Sequence, residues 1–325
     1  MTPQRPVLAA RQAQATARAQ APRRVPWHVV LFLAPAVLIY SVFMVYPLFD
    51  SLRLSLLDGS GAFAGLDNYA RLLSDPNWAP RFWGALSNNV VFFAIHMAVQ
   101  NPIGLLLAAI LTTRVLRGRA IYRTLIFTPT VLSVVIIGFI WQLILSPLWG
   151  VADGLLTAVG LGDLYLPWLG LSGPALIVVS LMSVWQFVGI PMILFSAALV
   201  GISDEVLEAA RVDGAGAART FWSIQLPLIA PTIGIVAVLT FVGNFNAFDL
   251  IYTVQGGLAG PDYSSDVLGT FFFRSFFGHQ LQLGSATMGA TVAGMMFLII
   301  LVGVLLYLVG LQRRLLGAQG RGEAA

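Results

Sequence analysis

The sequence predicts an all-α membrane protein with six transmembrane helices, and three observations predict it. The 325 residues are 58% hydrophobic and only 10% charged, a balance that a soluble domain of this size rarely reaches. Six apolar stretches are each long enough to span a bilayer. The basic residues cluster between those stretches on alternate sides. All 18 of them are Arg, and the pI near 9.8 therefore reads as membrane topology rather than nucleic-acid binding. The chain has no Cys, which excludes disulfides, thiolate metal sites and Cys nucleophiles.

The six stretches are Val29–Phe49, Val90–Leu111, Leu125–Trp149, Pro174–Gly201, Leu228–Val254 and Ala286–Leu311. At 1.5 Å per residue each reaches about 30 Å, the thickness of the hydrocarbon core. Lipid offers the backbone no outside partner, so each is expected to be a helix. Pro102, Pro129 and Pro191 fall inside or near the ends of these stretches, where kinks are tolerated. Residues 1–26 are too polar for the apolar region of a signal peptide, so the first stretch reads as a retained helix after a disordered tail.

Orientation follows from the Arg residues. With the N-terminus inside, 14 Arg fall on the inner side, in the tail, at 114–123, at Arg211 and Arg219, and after the last stretch. Four, Arg53, Arg71, Arg81 and Arg274, fall outside. The positive-inside rule places both termini in the cytoplasm. The expected organisation is a tail over 1–26, a six-helix transmembrane domain over 27–315 and a C-terminal cytoplasmic tail over 316–325.

The segment between the fourth and fifth stretches carries the most information. Ser203 suits a helix N-cap, Asp204 and Glu205 suit the positive end of a helix dipole, and Gly214 suits the residue just past a helix end. A short cytoplasmic helix is expected, with Ala209, Ala210 and Ala215 keeping its surface low and Glu208 and Asp213 adding charge. Such a surface admits close approach by a basic groove on another protein. An ordinary amphipathic loop helix at the membrane surface fits the same residues. A second helix through Phe221-Trp222 is expected to end near Leu226-Pro227.

Glu208-Ala209-Ala210, Gly214 after three residues and Ile224-Gln225-Leu226-Pro227 after nine more resemble the signature of the permease subunits of binding-protein-dependent ABC importers. Gly65–Tyr69 is similar to the Gly-Leu-x-Asn-Tyr element of the sugar-importer branch. Trp185-Gln186 with Gly189, and Phe248–Tyr252 with Gly256-Gly257, are similar to the same branch. The resemblance runs from Val29 to Arg314 and points to the maltose- and glycerol-phosphate-type permeases of the carbohydrate-uptake class. Two features depart from it. Val254-Gln255-Gly256-Gly257-Leu258 stands where Thr-x-Gly-Gly-Pro is usual, and the first outer segment is too short for the large inserted domain of the maltose protein.

The resemblance implies a type I ABC importer permease fold in the bacterial cytoplasmic membrane, with no catalytic residues and no metal. It makes Glu208, Ala209, Ala210, Asp213, Gly214, Ile224, Leu226 and Pro227 the elements that couple the chain to a separate ATPase. The implied partners are a second homologous permease, two ATPase subunits that use ATP and Mg2+, and an extracytoplasmic solute-binding protein. The chain itself binds no cofactor in this reading. Without any Lys it cannot form a phosphate-binding Gly-x-x-x-x-Gly-Lys-Ser/Thr loop.

Polar residues within spans mark a candidate substrate path. Trp185 and Gln186 lie near the middle of the fourth stretch. Asn244 and Asn246 lie in the outer half of the fifth, with Asp249 and Tyr252 towards the outer surface. Ring stacking and neutral hydrogen bonds suit a sugar. Interhelical bonding by Asn and Gln, and interface anchoring by Asp249 and Tyr252, fit as well. His96, Gln100 and Asn101 read as helix–helix packing, because no second His or carboxylate extends a proton relay. An ion-coupled carrier would need embedded carboxylates, and only Asp249 is available. A membrane enzyme would need a clustered site, and His28, His96 and His279 lie in unrelated segments. A phosphate-bearing solute such as glycerol phosphate would favour an Arg within a span, and there is none.

Overall fold

The computed structural model describes residues 27–113, 116–149, 151–280 and 283–322, with side chains up to 310. The expected N-terminal tail lies outside them. The regular secondary structure of the described residues is helical, joined by turns and irregular segments, with an isolated antiparallel bridge between Leu57 and Phe63. The chain divides after Asp50 into two units. The first contains most of α1, Trp27–Ser55, which has 29 residues.

The second unit runs through α2 (Asp67–Ser74), α3 (Ala79–Thr112), α4 (Arg119–Val131), α5 (Val134–Leu145), α6 (Val151–Ala158), α7 (Ala175–Phe187) and α8 (Gly189–Val200). It continues through α9 (Asp204–Val212), α10 (Ala217–Leu228), α11 (Ala230–Phe245), α12 (Asp249–Gln255), α13 (Leu268–Phe277) and α14 (Ala286–Gly322). Among the described residues α1, α3 and the first 25 residues of α14 are long and apolar enough to cross a membrane alone. Four further pairs of helices pass only jointly, across bends of 67° to 96°, so the count of spans lies between three and seven.

Proline explains three irregular turns. The five-residue π segments Ser41–Val45, His96–Gln100 and Phe221–Gln225 each end two residues before a proline, at Pro47, Pro102 and Pro227. A proline ring in a regular helix clashes with the carbonyl four residues earlier and offers it no N–H. Widening the turn moves that carbonyl aside. In α3 the Asn101 N–H reaches back five residues, to the His96 carbonyl. Pro191 acts more gently. It leaves the Phe187 carbonyl without its usual donor, but Val188 keeps helical angles and α7 runs on into α8.

Two expected helices are broken. The third stretch bends by 96° between α4 and α5, where Leu132 and Ser133 are extended. The fifth ends at Phe245, and non-helical Asn246–Phe248 lead into α12. Freed backbone at membrane depth must find partners within the protein, and here side chains supply them. Gln186 Nε2 donates to the Leu132 carbonyl at 3.5 Å, and Thr130 donates to the Gln186 carbonyl at 3.0 Å. Asn246 Nδ2 donates to the Val242 carbonyl at 2.9 Å, and Asn89 Nδ2 to that of Asn244 at 2.8 Å.

The segment between α12 and α14 folds around a buried ion pair. The Arg274 guanidinium pairs with both Asp266 oxygens, donates to the Gly257 carbonyl at 3.1 Å and lies over the Tyr263 ring. Burial pushes the Asp266 carboxyl up, while Arg274 and the Thr270 hydroxyl pull it back. Asn88 and Asn89 fasten this segment to α3. Asn88 donates to the Ser264 and Asp266 carbonyls, and Asn89 Oδ1 accepts from the Leu268 N–H at 2.7 Å. Near the start of the unit in sequence, Asn68 Nδ2 donates to the carbonyls of Ser55 and Leu57, and the Tyr69 and Ser55 hydroxyls bond at 2.9 Å. The Gly65–Tyr69 element thus closes the turn that follows α1.

Candidate functional site

A cavity of about 430 Å³ lies between α3, α7, α8 and the break after α11. Phe92, Phe187, Leu239 and Phe248 give it apolar walls. Its polar groups are His96, Gln100, Ser183, Thr240, Asn244, Asn246 and Asp249. The His96 tautomer follows from its partners. Nδ1 faces the Phe92 carbonyl at 2.8 Å and must donate, so in the neutral ring Nε2 accepts from the Ser183 hydroxyl at 3.0 Å. Thr240 donates to the Val236 carbonyl at 2.8 Å and accepts from Asn101 Nδ2 at 3.2 Å. The lining includes one carboxylate and no Arg. Such a site can hydrogen-bond an uncharged solute and offers an anion no cation.

Of the six expected path residues, the cavity gathers Asn244, Asn246 and Asp249. Gln186 is fully buried and holds the α4–α5 break instead. Trp185 is 46% exposed and packs edge-on against Trp141. Tyr252 is half-buried and stacks on Phe248 and against Phe273. His96, Gln100, Ser183 and Thr240 complete the wall. The spacing of His96 and Gln100, four apart on one helix face, was the visible signal. The alternative of pure packing hid it, because their facing partners come from α7 and α11.

The second candidate element is α9. Ser203 is extended at its start, without a side-chain cap bond. The C-terminus is fully built. Gly214 has φ +77°, its N–H bonds the Arg211 carbonyl, and the Ala215 N–H bonds that of Ala210. These two bonds form a Schellman stop. Glu208, Ala209 and Asp213 are exposed, whereas Ala210 is 5% exposed and faces inward. Its small size serves packing beneath the helix rather than the open surface. Val212 and Trp222 extend the exposed face with apolar area. Ile224 and Leu226 are half-buried and Pro227 is exposed, where α10 turns by 67° into α11. The fixed spacing of the segment thus runs from one capped helix to the foot of the next.

Residues 100–316 match the family model described as the inner membrane component of binding-protein-dependent transport systems. The chain belongs to that family. It is 37% identical over 268 residues to the probable ABC transporter permease protein YurN of Bacillus subtilis, covering 81% of this chain and 89% of that one. It is 33% identical to the lactose transport system permease protein LacF of Rhizobium radiobacter, over 84% and 90% of the two chains. Its fold is similar to that of a solved bacterial ABC transporter involved in alginate import, with a TM-score of 0.73 at 24% identity, over 88% of this chain and 96% of that one.

This permease is therefore an all-α membrane subunit of an ABC importer and not an enzyme. ATP hydrolysis belongs to a separate subunit. Gly189 of the Trp185–Gly189 element has a packing reason, since a Cβ there would stand 2.9 Å from the Phe127 Cα on α4.

Proposed function

We propose that the permease carries an uncharged sugar through the cavity beside the α11 break, and that α9 couples this movement to a separate ATPase. The observation that carries the reading is the cavity chemistry: neutral hydrogen-bonding groups and aromatic walls, with no Arg among the lining residues. The names of the relatives support it. Lactose, multiple sugars, arabinooligosaccharides and diacetylchitobiose are the solutes given for permeases 27% to 33% identical to this chain. The absence of a lining cation disfavours glycerol phosphate.

In this reading the chain has six spans, with both termini in the cytoplasm of a bacterial cell. The solute arrives on an extracytoplasmic binding protein, and a second permease faces the cavity from the other side. Two ATPase subunits use ATP and Mg2+. Their closure moves α9, and because α9 joins α8 directly and reaches α11 through α10, the force acts on both walls of the cavity. Asn244, Asn246 and Asp249 contact the solute. Gln186 holds the broken helix in shape, and Trp185 and Tyr252 act from outside the cavity.

The test is ATP-driven uptake by the assembled transporter in proteoliposomes, with its binding protein and radiolabelled lactose, maltose or cellobiose. Uptake of at least one is expected. Uptake of none, with ATPase activity intact, refutes the sugar reading.

A further inference from the structure

The segment between α5 and α7 exposes more apolar surface than its own packing explains. Residues 147–173 hold two charged side chains, Asp153 and Asp163, and no Arg, Asn or Gln. Within them α6 is amphipathic. Val151, Leu155 and Val159 recur every four residues on one side, Ala152 and Leu156 adjoin them, and Asp153 and Thr157 lie opposite. The Val159 N–H bonds the Leu155 carbonyl, so the helical turn continues to Val159. The protein covers only one edge of this apolar arc. Ala152 is buried in the same core as Leu145 and Leu176, whereas Leu155 is 65% and Val159 69% exposed. Leu148 and Trp149, just before the helix, add to the exposed apolar area.

What covers the arc follows from where the segment is fixed. The Tyr165 hydroxyl donates to the Leu145 carbonyl at the end of α5, and Gln255 Nε2 at the end of α12 donates to the Leu169 carbonyl, both at 3.2 Å. Tyr165, Trp168 and Leu169 pack on the core that contains Leu145 and Leu176. The segment is thus pinned beside the end of α5 and the start of α7, where the chain leaves the lipid and returns to it. A protein-docking surface is enriched in Arg and ringed by polar groups, and a solvated loop carries more charge. This segment instead has the apolar face, the Trp and Tyr residues and the sparse charge that suit a membrane–water interface.

We propose that residues 148–166 are a membrane-binding element of the outer leaflet. Val151, Leu155 and Val159 enter the boundary between headgroups and acyl chains to about 5–10 Å, and Asp153 faces water. The inference rests on the six-span arrangement above and is independent of the solute. Without basic residues the contact is hydrophobic and needs no anionic lipid. It bears on the cavity through α5, whose Gln142 donates to the Val254 carbonyl of α12 at 2.6 Å, beyond the break. Lipid that holds the outer end of α5 therefore steadies the helix that follows the cavity.

The chain has no Cys, so one introduced thiol marks one site. Leu155→Cys and Asp153→Cys are each labelled with a nitrobenzoxadiazole fluorophore in the assembled transporter, whose partner subunits carry no free thiol. The labelled complexes are placed in phosphatidylcholine vesicles, with iodide on both sides as the aqueous quencher or a nitroxide near the headgroup as the lipid quencher. The lipid quencher is expected to act about threefold more strongly at residue 155 than at 153, and iodide in the opposite order. Val159→Cys is read as Leu155→Cys if the latter does not assemble. Equal iodide access at 155 and 153 overturns the inference, because the arc then faces water. A label at 155 shielded from both quenchers also overturns it, because the arc then faces protein. A topology reporter fused at Gly173 separates the two levels. Activity only outside the cytoplasm keeps the six-span arrangement and leaves the quenching to decide, whereas activity only inside it refutes the arrangement and the inference together.

Discussion

Replacing Gly214 tests whether the stop of α9 positions the helix for its ATPase. Gly214 holds φ +77°, and a Cβ built there meets nothing within 4 Å. The cost of Gly214→Ala is thus conformational rather than steric. A left-handed residue with a Cβ costs about 1–2 kcal/mol. The alternative is to abandon that conformation and lose the two bonds to Arg211 and Ala210 that end the helix. Their net worth is about 0.5–1.5 kcal/mol each. Either route disfavours the native stop by about 1–2 kcal/mol, a factor of roughly 5–30 in its population. If the ATPase docks only on the native arrangement, its apparent affinity falls by the same factor. Asn tolerates the left-handed region far better than Ala, so Gly214→Asn should recover most of the loss, and Gly214→Val should be worst. Gly216 has open space and a negative φ, so Gly216→Ala is the matched control with no loss expected. The assay is titration of the detergent-purified permease pair with its ATPase, together with sugar-stimulated hydrolysis in proteoliposomes. Equal effects of Ala and Asn at 214, or a loss in Gly216→Ala as large as in Gly214→Ala, would refute the backbone argument.

Other outcomes follow from the same geometry. Glu208→Lys reverses an exposed charge; co-purification of the ATPase should fall while the permease stays in the membrane at wild-type level, and normal co-purification and uptake would release this carboxylate from coupling. Asn89→Ala strands the Leu268 N–H and leaves the Asn244 carbonyl only its backbone donors; at about 1–3 kcal/mol for a buried unpaired group the melting temperature should drop clearly, and an unchanged value would mean that the break after α11 holds without this clamp. Reporter fusions at Asp75 and Ala325 should place residue 75 outside and residue 325 inside, and a reporter at 325 active only outside the cytoplasm would contradict the six-span arrangement.

Much of the membrane architecture was legible because lipid imposes a simple rule on sequence: apolar runs of about 20 residues must pair their own backbone. The helical segments around Val29–Phe49, Val90–Leu111 and Ala286–Leu311 were visible for that reason, and α3 proved longer than its apolar run because its first three turns carry polar residues such as Arg81 and Asn88. The stop at Gly214 was equally legible, since a glycine just past an amphipathic turn has one dominant use, whereas the Ser203 side-chain cap expected at its start does not form. The proline turns were half legible. Pro102 and Pro227 announced disturbance, but the choice between a kink and a widened turn depends on whether neighbouring helices can house the extra residue.

The sequence by itself determined that this chain is a helical membrane protein, which segments are apolar and where its short α9 helix starts and stops. Tertiary structure alone decided which polar residues share a space. Asn244 and Gln186 looked alike in sequence, two buried amides in apolar helices. Asn244 lines the cavity where α11 ends one residue later, at Phe245, and Gln186 does not because its side chain turns to the Leu132 carbonyl. The physical reason is that a buried amide bonds to whatever group packing brings within hydrogen-bond reach. That partner belongs to a different helix, tens of residues away in the chain, and only packing brings it there.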